Sequence, residues 1–253
     1  MILESIFILV VLLAVIIVFY RQAIEQYNIL QIEASQLSEF PKLLGERTPV
    51  VVRNVGAPKL FLPEALKTNG RLKQFPIGNQ FTLGAYIQKP TAQVSLTKKA
   101  ASLLAKESGL SVWGEHTWFP RCFQYPFLQQ LHTFSSEAYL GEVGLRKTTG
   151  IVTLFYPTSG PLEVTLLTEQ QGKYLPPKWR GRFPEKFTIQ DTPLVGEIKY
   201  ITVKLRPGTV LCIPTHWYYS IRVADKAAPA MWAKFTVDNP ISYVASTMEG
   251  SFE

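Results

Sequence analysis

The chain is poor in the two side chains on which most metal and redox sites rely: it has two cysteines and three histidines. Cys122 and Cys212 lie far apart and form no C-x-x-C pair, which excludes a disulfide scaffold and a structural zinc site built on thiolates. Cys212 sits in an apolar run and reads as a buried thiol. No G-x-S-x-G elbow, P-loop or G-x-G-x-x-G occurs, so the motifs of many hydrolases and nucleotide-binding proteins are missing. Internal repeats and low-complexity tracts are absent too. With 47% apolar residues the chain can bury a full core, so disorder is not the default. None of Asn28, Asn54, Asn69, Asn79 or Asn239 heads an N-x-S/T sequon. Acidic residues are the minority, 19 against 26 basic, for a formal charge of +7. That balance permits anionic lipid, acidic protein or nucleic-acid partners. The Lys and Arg are scattered and read as solvated surface, and nothing in their spacing favours nucleic acid.

What the chain does have is one long hydrophobic run. "IFILVVLLAVIIVFY", Ile6 to Tyr20, is fifteen apolar residues without a break. Ile2 and Leu3 extend it to about 28 Å of helix, close to the roughly 30 Å hydrocarbon core of a bilayer. A cleaved signal peptide would need a basic n-region and a small-x-small cleavage site, and "MILES" and Tyr20-Arg21-Gln22 supply neither. The run predicts an uncleaved, single-pass anchor over residues 2–20. Arg21, the basic residue beside it, puts the C-terminal bulk in the cytosol by the positive-inside tendency, and the missing sequons agree. The expected organisation is an anchor at 1–21, a helical juxtamembrane stalk at 22–45 and one domain at 46–253. Within the stalk, Ile24, Tyr27 and Leu30 or Ile32 fall at helical spacing. Ser38 reads as the N-cap of a second short helix with Phe40, Leu43 and Leu44 on its apolar side.

Beyond Arg47 the texture becomes β-rich. "TPVVVRNV" predicts a strand, "PEALKTNG" a short helix stopped at Gly70, and "LTKKAASLLAKESG" a longer helix ending at a Gly. From Ala138 onward the strands expected are "AYLGEV", "GIVTLFY", "LEVTLLTE", "EIKYITVKL", "GTVLCIP", "WYYSIRV" and "AMWAKFTVD", separated by Gly, Pro or Thr-Ser-Gly turns. That spacing argues an antiparallel sandwich or small barrel preceded by mixed α and β.

"LRPGTVLCIPTHWYYSIRV", Leu205 to Val223, resembles the end of the cupin-like domains of the JmjC and related 2-oxoglutarate oxygenases. Pro207-Gly208 matches their tight turn, Ile213-Pro214 the end of one strand, and Trp217 a tryptophan that packs on the next. Two upstream stretches support the likeness. "FPKLLGERTPVVVRNV" is similar to the family's helix-then-strand opening, and "YPFLQQLHTFSSEAYLGEVG" to the approach to its first core strand, with Tyr139-Leu140-Gly141 for Trp-Ile-Gly. The resemblance covers residues 38 to 245. It implies a fold that is mainly β with flanking helices: a double-stranded β-helix, or cupin/jelly-roll barrel, preceded by the transmembrane helix.

In that family a His-x-Asp/Glu pair on an early strand and a distal His on a late one hold Fe(II) as a facial triad. Carried over, the distal His falls on Tyr219. His216 precedes Trp217 in the turn, faces away from it and is a bystander. The early pair falls between Lys147 and Val152, and Leu145 to Gly160 contains no His, Asp or Glu. Leu162 or Glu163 is nearest to the family's basic 2-oxoglutarate ligand. The resemblance therefore implies no metal, no cofactor and no catalytic residues. The expectation is that Tyr219, a degenerate metal position, packs inside the barrel with a polar partner for its hydroxyl. A site gathered from His116, His132 and His216 is the alternative the histidines allow. Cys122 with His132 is a pair by proximity only.

"GKYLPPKWRGRFPEKF", Gly172 to Phe187, interleaves basic and aromatic residues. It reads as an insertion whose aromatics pack on the barrel, as a contact for a protein partner through Lys178, Trp179, Arg180, Arg182 and Phe183, or as a surface for lipid headgroups or nucleic-acid bases. The expected function is a membrane-anchored, non-catalytic structural or protein-interaction module, a pseudoenzyme. Its partners would be the bilayer through residues 2–20 and capsid or other membrane-associated proteins. Such a module suits a virion, tying an internal membrane to a shell. The opposing reading is an active Fe(II)/2-oxoglutarate-dependent hydroxylase working at a membrane.

Overall fold

A computed structural model describes Val10, Val11 and residues 28–244, except 57, 59, 60, 79, 80, 91–93, 95, 226 and 227. Apart from Val10 and Val11, the expected anchor lies outside the described residues, among which no helix is long and apolar enough to cross a membrane.

The first element, β1 (Leu30–Glu33), corrects the expected stalk. Leu30 and Ile32 alternate with Gln31 and Glu33, a period of two that buries Ile32. The strand runs parallel to β2 (Val50–Arg53), so residues 30–33 are part of the sheet rather than of a helix leading to it. Tertiary pairing overrides the weak helical spacing here. The short helix expected next is present as α1 (Phe40–Gly45), entered at Glu39 rather than capped by Ser38, with Phe40 buried edge-on against Trp118. Two short helices follow, α2 (Pro63–Thr68) and α3 (Gly70–Lys73). Gly70 does not end the helical region, because the Asn69 side chain accepts from Arg71 N and Leu72 N and caps a fresh turn that buries Leu72.

Three more helices precede the main strands: α4 (Leu83–Gln88), α5 (Lys98–Glu107) and α6 (Leu110–Thr117). Thr97 caps α5, and Gly109 at φ 77° turns the chain directly into α6, a conformation that favours glycine. Eight strands complete the chain: β3 (Thr133–Leu140), β4 (Val143–Lys147), β5 (Val152–Ser159), β6 (Leu162–Leu167), β7 (Ile201–Leu205), β8 (Val210–Pro214), β9 (Tyr218–Val223) and β10 (Met231–Asp238). The expected "AYLGEV" strand is divided at Gly141, between β3 and β4.

The strands form two sheets, ordered β1-β2-β8-β5-β10-β3 and β4-β9-β6-β7. Every pairing from β3 onward is antiparallel. The sheets face each other: the Phe155 ring from β5 lies 4.7 Å from Tyr219 on β9 and 6.0 Å from Trp232 on β10. Successive side chains on a strand point to opposite faces, so Phe155, Trp232 and Tyr219 line the interior while Tyr156 and Phe235 point outward. The outward face of the larger sheet is covered by α6, whose Trp113 meets Tyr156 at 5.2 Å and Phe235 at 5.9 Å. That cover explains why nearly every residue of β5 and β10 is buried, on both faces.

The contact of α6 with the sheet has almost no tolerance. A Cβ on Gly114 would run into the Phe235 ring, which is fully buried and stacked on Phe134. Gly114→Ala is expected to destabilise the domain by about 1–3 kcal/mol through overpacking, although alanine favours helix by roughly 1 kcal/mol at an ordinary position. Urea unfolding checks the sign.

Candidate functional site

The resemblance points to the space between the two sheets, and there the structure gathers charge rather than metal donors. Glu137 on β3 stands opposite Lys234 on β10, with Lys234 Nζ 3.1 Å from Glu137 Oε2. The Tyr139 hydroxyl donates to the same oxygen at 2.6 Å, and its ring stacks on Trp232 at 4.6 Å. Glu137 and Tyr139 are buried, and the Lys234 side chain is 17% exposed. Burial alone would raise the Glu137 carboxyl. The Lys234 charge, with hydrogen bonds from Tyr139 and Lys234, outweighs it and holds the carboxyl below the usual range. For Lys234, burial opposes the charge, and Glu137 overcomes it to hold the ammonium above its ordinary value. Burial pushes the Tyr139 phenol up, so it stays a neutral donor.

The positions where an Fe(II) triad would fall do not fit one. Tyr219 is buried against Phe155, and Lys234, already paired, adds a positive charge to its surroundings. In the connection between β4 and β5 Thr148 is committed: its hydroxyl donates to the Pro214 and Trp217 carbonyls and accepts from Trp217 N at 3.1 Å. A Cβ on Gly150 would run into Thr236 and lie 2.9 Å from the Val237 carbonyl oxygen, so no ligand side chain fits there. Of the buried carboxylates, Glu137 is held by Lys234 and Tyr139, and Asp238 accepts from the Ser242 hydroxyl at 3.0 Å. Among the described residues no group of three His, Cys, Asp or Glu could hold a metal ion, and this covers His116, His132 and His216.

His216 sits exposed in the turn before β9 at φ 67°, with Nδ1 3.8 Å from Glu169 Oε1. His132 bonds the Leu128 carbonyl through Nδ1 at 2.6 Å and packs on Phe123 at 4.8 Å. Cys122 donates to the Trp118 carbonyl, and burial pushes its thiol up to about 12, which leaves little nucleophilic thiolate. Cys212 is fully buried, as expected.

The basic-aromatic segment lies over the outward face of the smaller sheet. Leu175 and Phe187 are buried in a second apolar cluster with Leu145, Leu167 and Tyr218. Trp179 is half-buried, edge-on to Tyr218 at 5.1 Å. Backbone bonds tie the segment down, Leu145 N to Arg182 O at 2.7 Å and Gly181 N to Leu145 O at 3.0 Å. A Cβ on Gly144 would strike the Gly181 backbone, so the approach depends on glycine there. Arg182 pairs with Asp191 at 2.7 Å, which holds that carboxyl well below its ordinary range. Lys178 and Arg180 remain exposed, with Arg180 over the Trp179 ring at 5.6 Å. Of the five residues expected to meet a partner, Trp179 and Arg182 are thus engaged within the domain. The sequence also missed a cavity of about 400 Å³ between edge strands β3 and β4, lined by Leu96, Tyr139, Glu142, Arg146 and Phe183 among others. Its walls come from segments far apart in the chain, so no local pattern marks it.

No family model matches the chain, and no curated protein does. Partial matches to solved structures include Drosophila melanogaster CENP-C bound to CAL1, at 14% identity over 41% of this chain and 63% of that one, TM-score 0.25. Streptomyces albus HEPD with 2-hydroxyethylphosphonate and Fe(II) bound matches at 11% identity over 46% and 21%, TM-score 0.28. Hydroquinone 1,2-dioxygenase from Sphingomonas sp. TTNP3 with 4-hydroxybenzoate bound matches at 17% over 44% and 61%, TM-score 0.28. The chain spans less than two thirds of each of these proteins. Likenesses this partial assign neither a family nor an activity.

The depressed Glu137 value stabilises the fold above the ordinary glutamate pKa of about 4.3, and that contribution is lost as pH falls through the folded value. The raised Lys234 value stabilises below about 10.4, and is lost only as pH rises through its still higher folded value. Glu137→Gln is expected to cost about 3–5 kcal/mol at neutral pH by stranding Lys234, and to flatten the acid limb of the stability curve. Adding Lys234→Met should recover much of the loss. Urea titrations from pH 3 to pH 9 check both.

Packing and contact separate cleanly in the overlying segment. Trp179→Ala is expected to lower stability by about 1–2 kcal/mol, since a half-buried aromatic is lost. Lys178→Ala with Arg180→Ala should stay within about 0.5 kcal/mol of the parent, as surface changes do. Thermal melts of the variants distinguish them.

Proposed function

We propose that this chain is a membrane-anchored, non-catalytic jelly-roll module that holds protein partners at a membrane surface. The strand order supports a jelly roll of the cupin type: from β3 to β10 consecutive strands build two four-strand sets, β8-β5-β10-β3 and β4-β9-β6-β7. The anchor rests on the apolar run at residues 6–20.

The observation that carries the reading is the filling of the barrel interior. At the place where the resembled oxygenases hold iron, Tyr219 packs on Phe155, and the buried carboxylate nearby neutralises Lys234. A divalent ion there would lack imidazole and carboxylate donors and would add to a charge already balanced. What remains is a rigid scaffold, and a fold alone carries no activity. The partner side of the proposal rests on the exposed Lys178 and Arg180, which the packed segment presents at fixed positions. Capsid or other membrane-associated proteins are the partner class proposed, with a virion's internal membrane one setting that suits it.

Protein purified without chelator is expected to carry no stoichiometric iron and to release no succinate from 2-oxoglutarate. Tyr219→His should restore neither, because one imidazole without its partners gives little affinity. Stoichiometric iron with turnover would establish the opposing hydroxylase reading. Crosslinking mass spectrometry in the native membrane is expected to place partner crosslinks at Lys178, and their absence would remove the interaction surface from the proposal.

A further inference from the structure

Taking residues 2–20 as the anchor of the proposed function, we infer that one end of the six-stranded sheet rests on the bilayer surface, so that the folded domain makes a second membrane contact of its own. The strand registers define that end. Thr133 at the start of β3 pairs with Asp238 at the end of β10. Val152 at the start of β5 pairs with Val237 and with Pro214 at the end of β8. Val50 at the start of β2 pairs with Leu30 at the start of β1. The backbone therefore passes into β1 through Asn28 at the same end of the sheet at which β10 finishes and β3 begins.

Exposed apolar side chains concentrate there. Just before β3, Tyr125, Phe127 and Leu131 are 53, 62 and 60% exposed. Just after β10, Ile241, Tyr243 and Val244 are 80, 52 and 54% exposed. These are six of the twelve large apolar side chains that stand exposed among the described residues from 28 to 244. They are held in place rather than trailing. Tyr125 and Phe127 stack at 6.0 Å, and the turn bearing Ile241 is closed reciprocally by Ser242 N to Asn239 Oδ1 at 2.6 Å and Asn239 N to Ser242 Oγ at 2.9 Å.

The occupant follows from where the chain goes. Seven residues, 21–27, separate the apolar run from Asn28. Even fully extended they reach on the order of 25 Å, so this end of the domain stays close to the headgroups. Tyrosines beside aliphatic and phenylalanine side chains are the composition that settles at a membrane interface, with rings at headgroup depth and apolar groups just below.

The test uses the full chain in phosphatidylcholine vesicles containing shallow brominated lipids, with bimane on Phe127→Cys, Ile241→Cys, Val15→Cys or Ile189→Cys. Both native thiols are held above their ordinary pKa by burial, so the introduced cysteine takes the label. Ile189, 75% exposed on the segment that covers the other sheet, is the soluble control. Phe127→Cys and Ile241→Cys are expected to lose emission by on the order of twofold, as labels at headgroup depth should, with Ile189→Cys unaffected. Quenching at Val15→Cys alone would overturn the sheet-end contact and leave the anchor standing. Quenching at 127 and 241 without Val15 would keep the contact and remove the anchor. Protection of 127 and 241 from iodide without lipid quenching would mean that protein, a second copy or a partner, covers this face, and would overturn the inference.

Discussion

The buried pairing of Glu137 with Lys234 is the constraint around which the interior between the two sheets is arranged. A lysine ammonium placed among Trp232, Phe155 and Tyr219 would be untenable without a counter-charge. Glu137 sits directly across the β3–β10 ladder, and Tyr139, two residues along the same face, donates to the same carboxylate oxygen as Lys234. That arrangement commits the Glu137 carboxylate to Lys234 and Tyr139 and fixes a cation between the sheets. The ion pair and the Tyr139 hydroxyl thus form one buried hydrogen-bonded network between the two sheets.

The outward faces of the two sheets solve a second problem. Each sheet, apolar within, needs cover without, and the chain supplies two different covers. Helix α6 lies over β5, β10 and β3, close enough at Gly114 to exclude a methyl group. Over the smaller sheet there is no helix of comparable length among the described residues. The segment after β6 does the work with Leu175, Trp179 and Phe187 set against Tyr218, Leu145 and Leu167. Basic residues interleaved with these aromatics face water for the same reason that polar residues alternate in a strand. The mixed composition is therefore first a packing solution, and its charges, fixed by that packing, are what a partner would meet.

Much of the fold was legible because its signals are local. The strands from β5 to β10 each carry a run of β-branched and aromatic residues closed by a turn, and Thr97 and Gly109 bracket α5 as cap and stop. Three features were not legible, for different physical reasons. Residues 30–33 gain strand structure only from pairing with β2, twenty residues on, so four residues of weak helical spacing carried no warning. The Glu137–Lys234 pair joins residues 97 apart in sequence, and an isolated Glu in "FSSEAYL" looks like any surface acid. Burial of Trp179 depends on Tyr218, across two strands and a long connection. The packing of Tyr219, by contrast, was legible in the apolar stretch that carries it: its ring is buried 4.7 Å from Phe155.

The direction of the sheet joins these observations into one geometry. β3 runs from Thr133, at the end where the chain passes toward its apolar run, to Leu140, beside the cavity lined by Tyr139, Glu142 and Phe183. Eight residues of strand span roughly 23 Å, so the two features sit at opposite ends of a stiff element that is paired along its whole length with β10. On the proposed reading the barrel is then a spacer. One end is held at headgroup level by a short tether and a patch of rings, and the other stands off the membrane by the length of a strand. A scaffold of this kind needs no turnover to be useful; it needs an interior that does not breathe. An internally neutralised ion pair, stacked rings and a helix seated without clearance meet that requirement better than an open metal site with exchangeable ligands would.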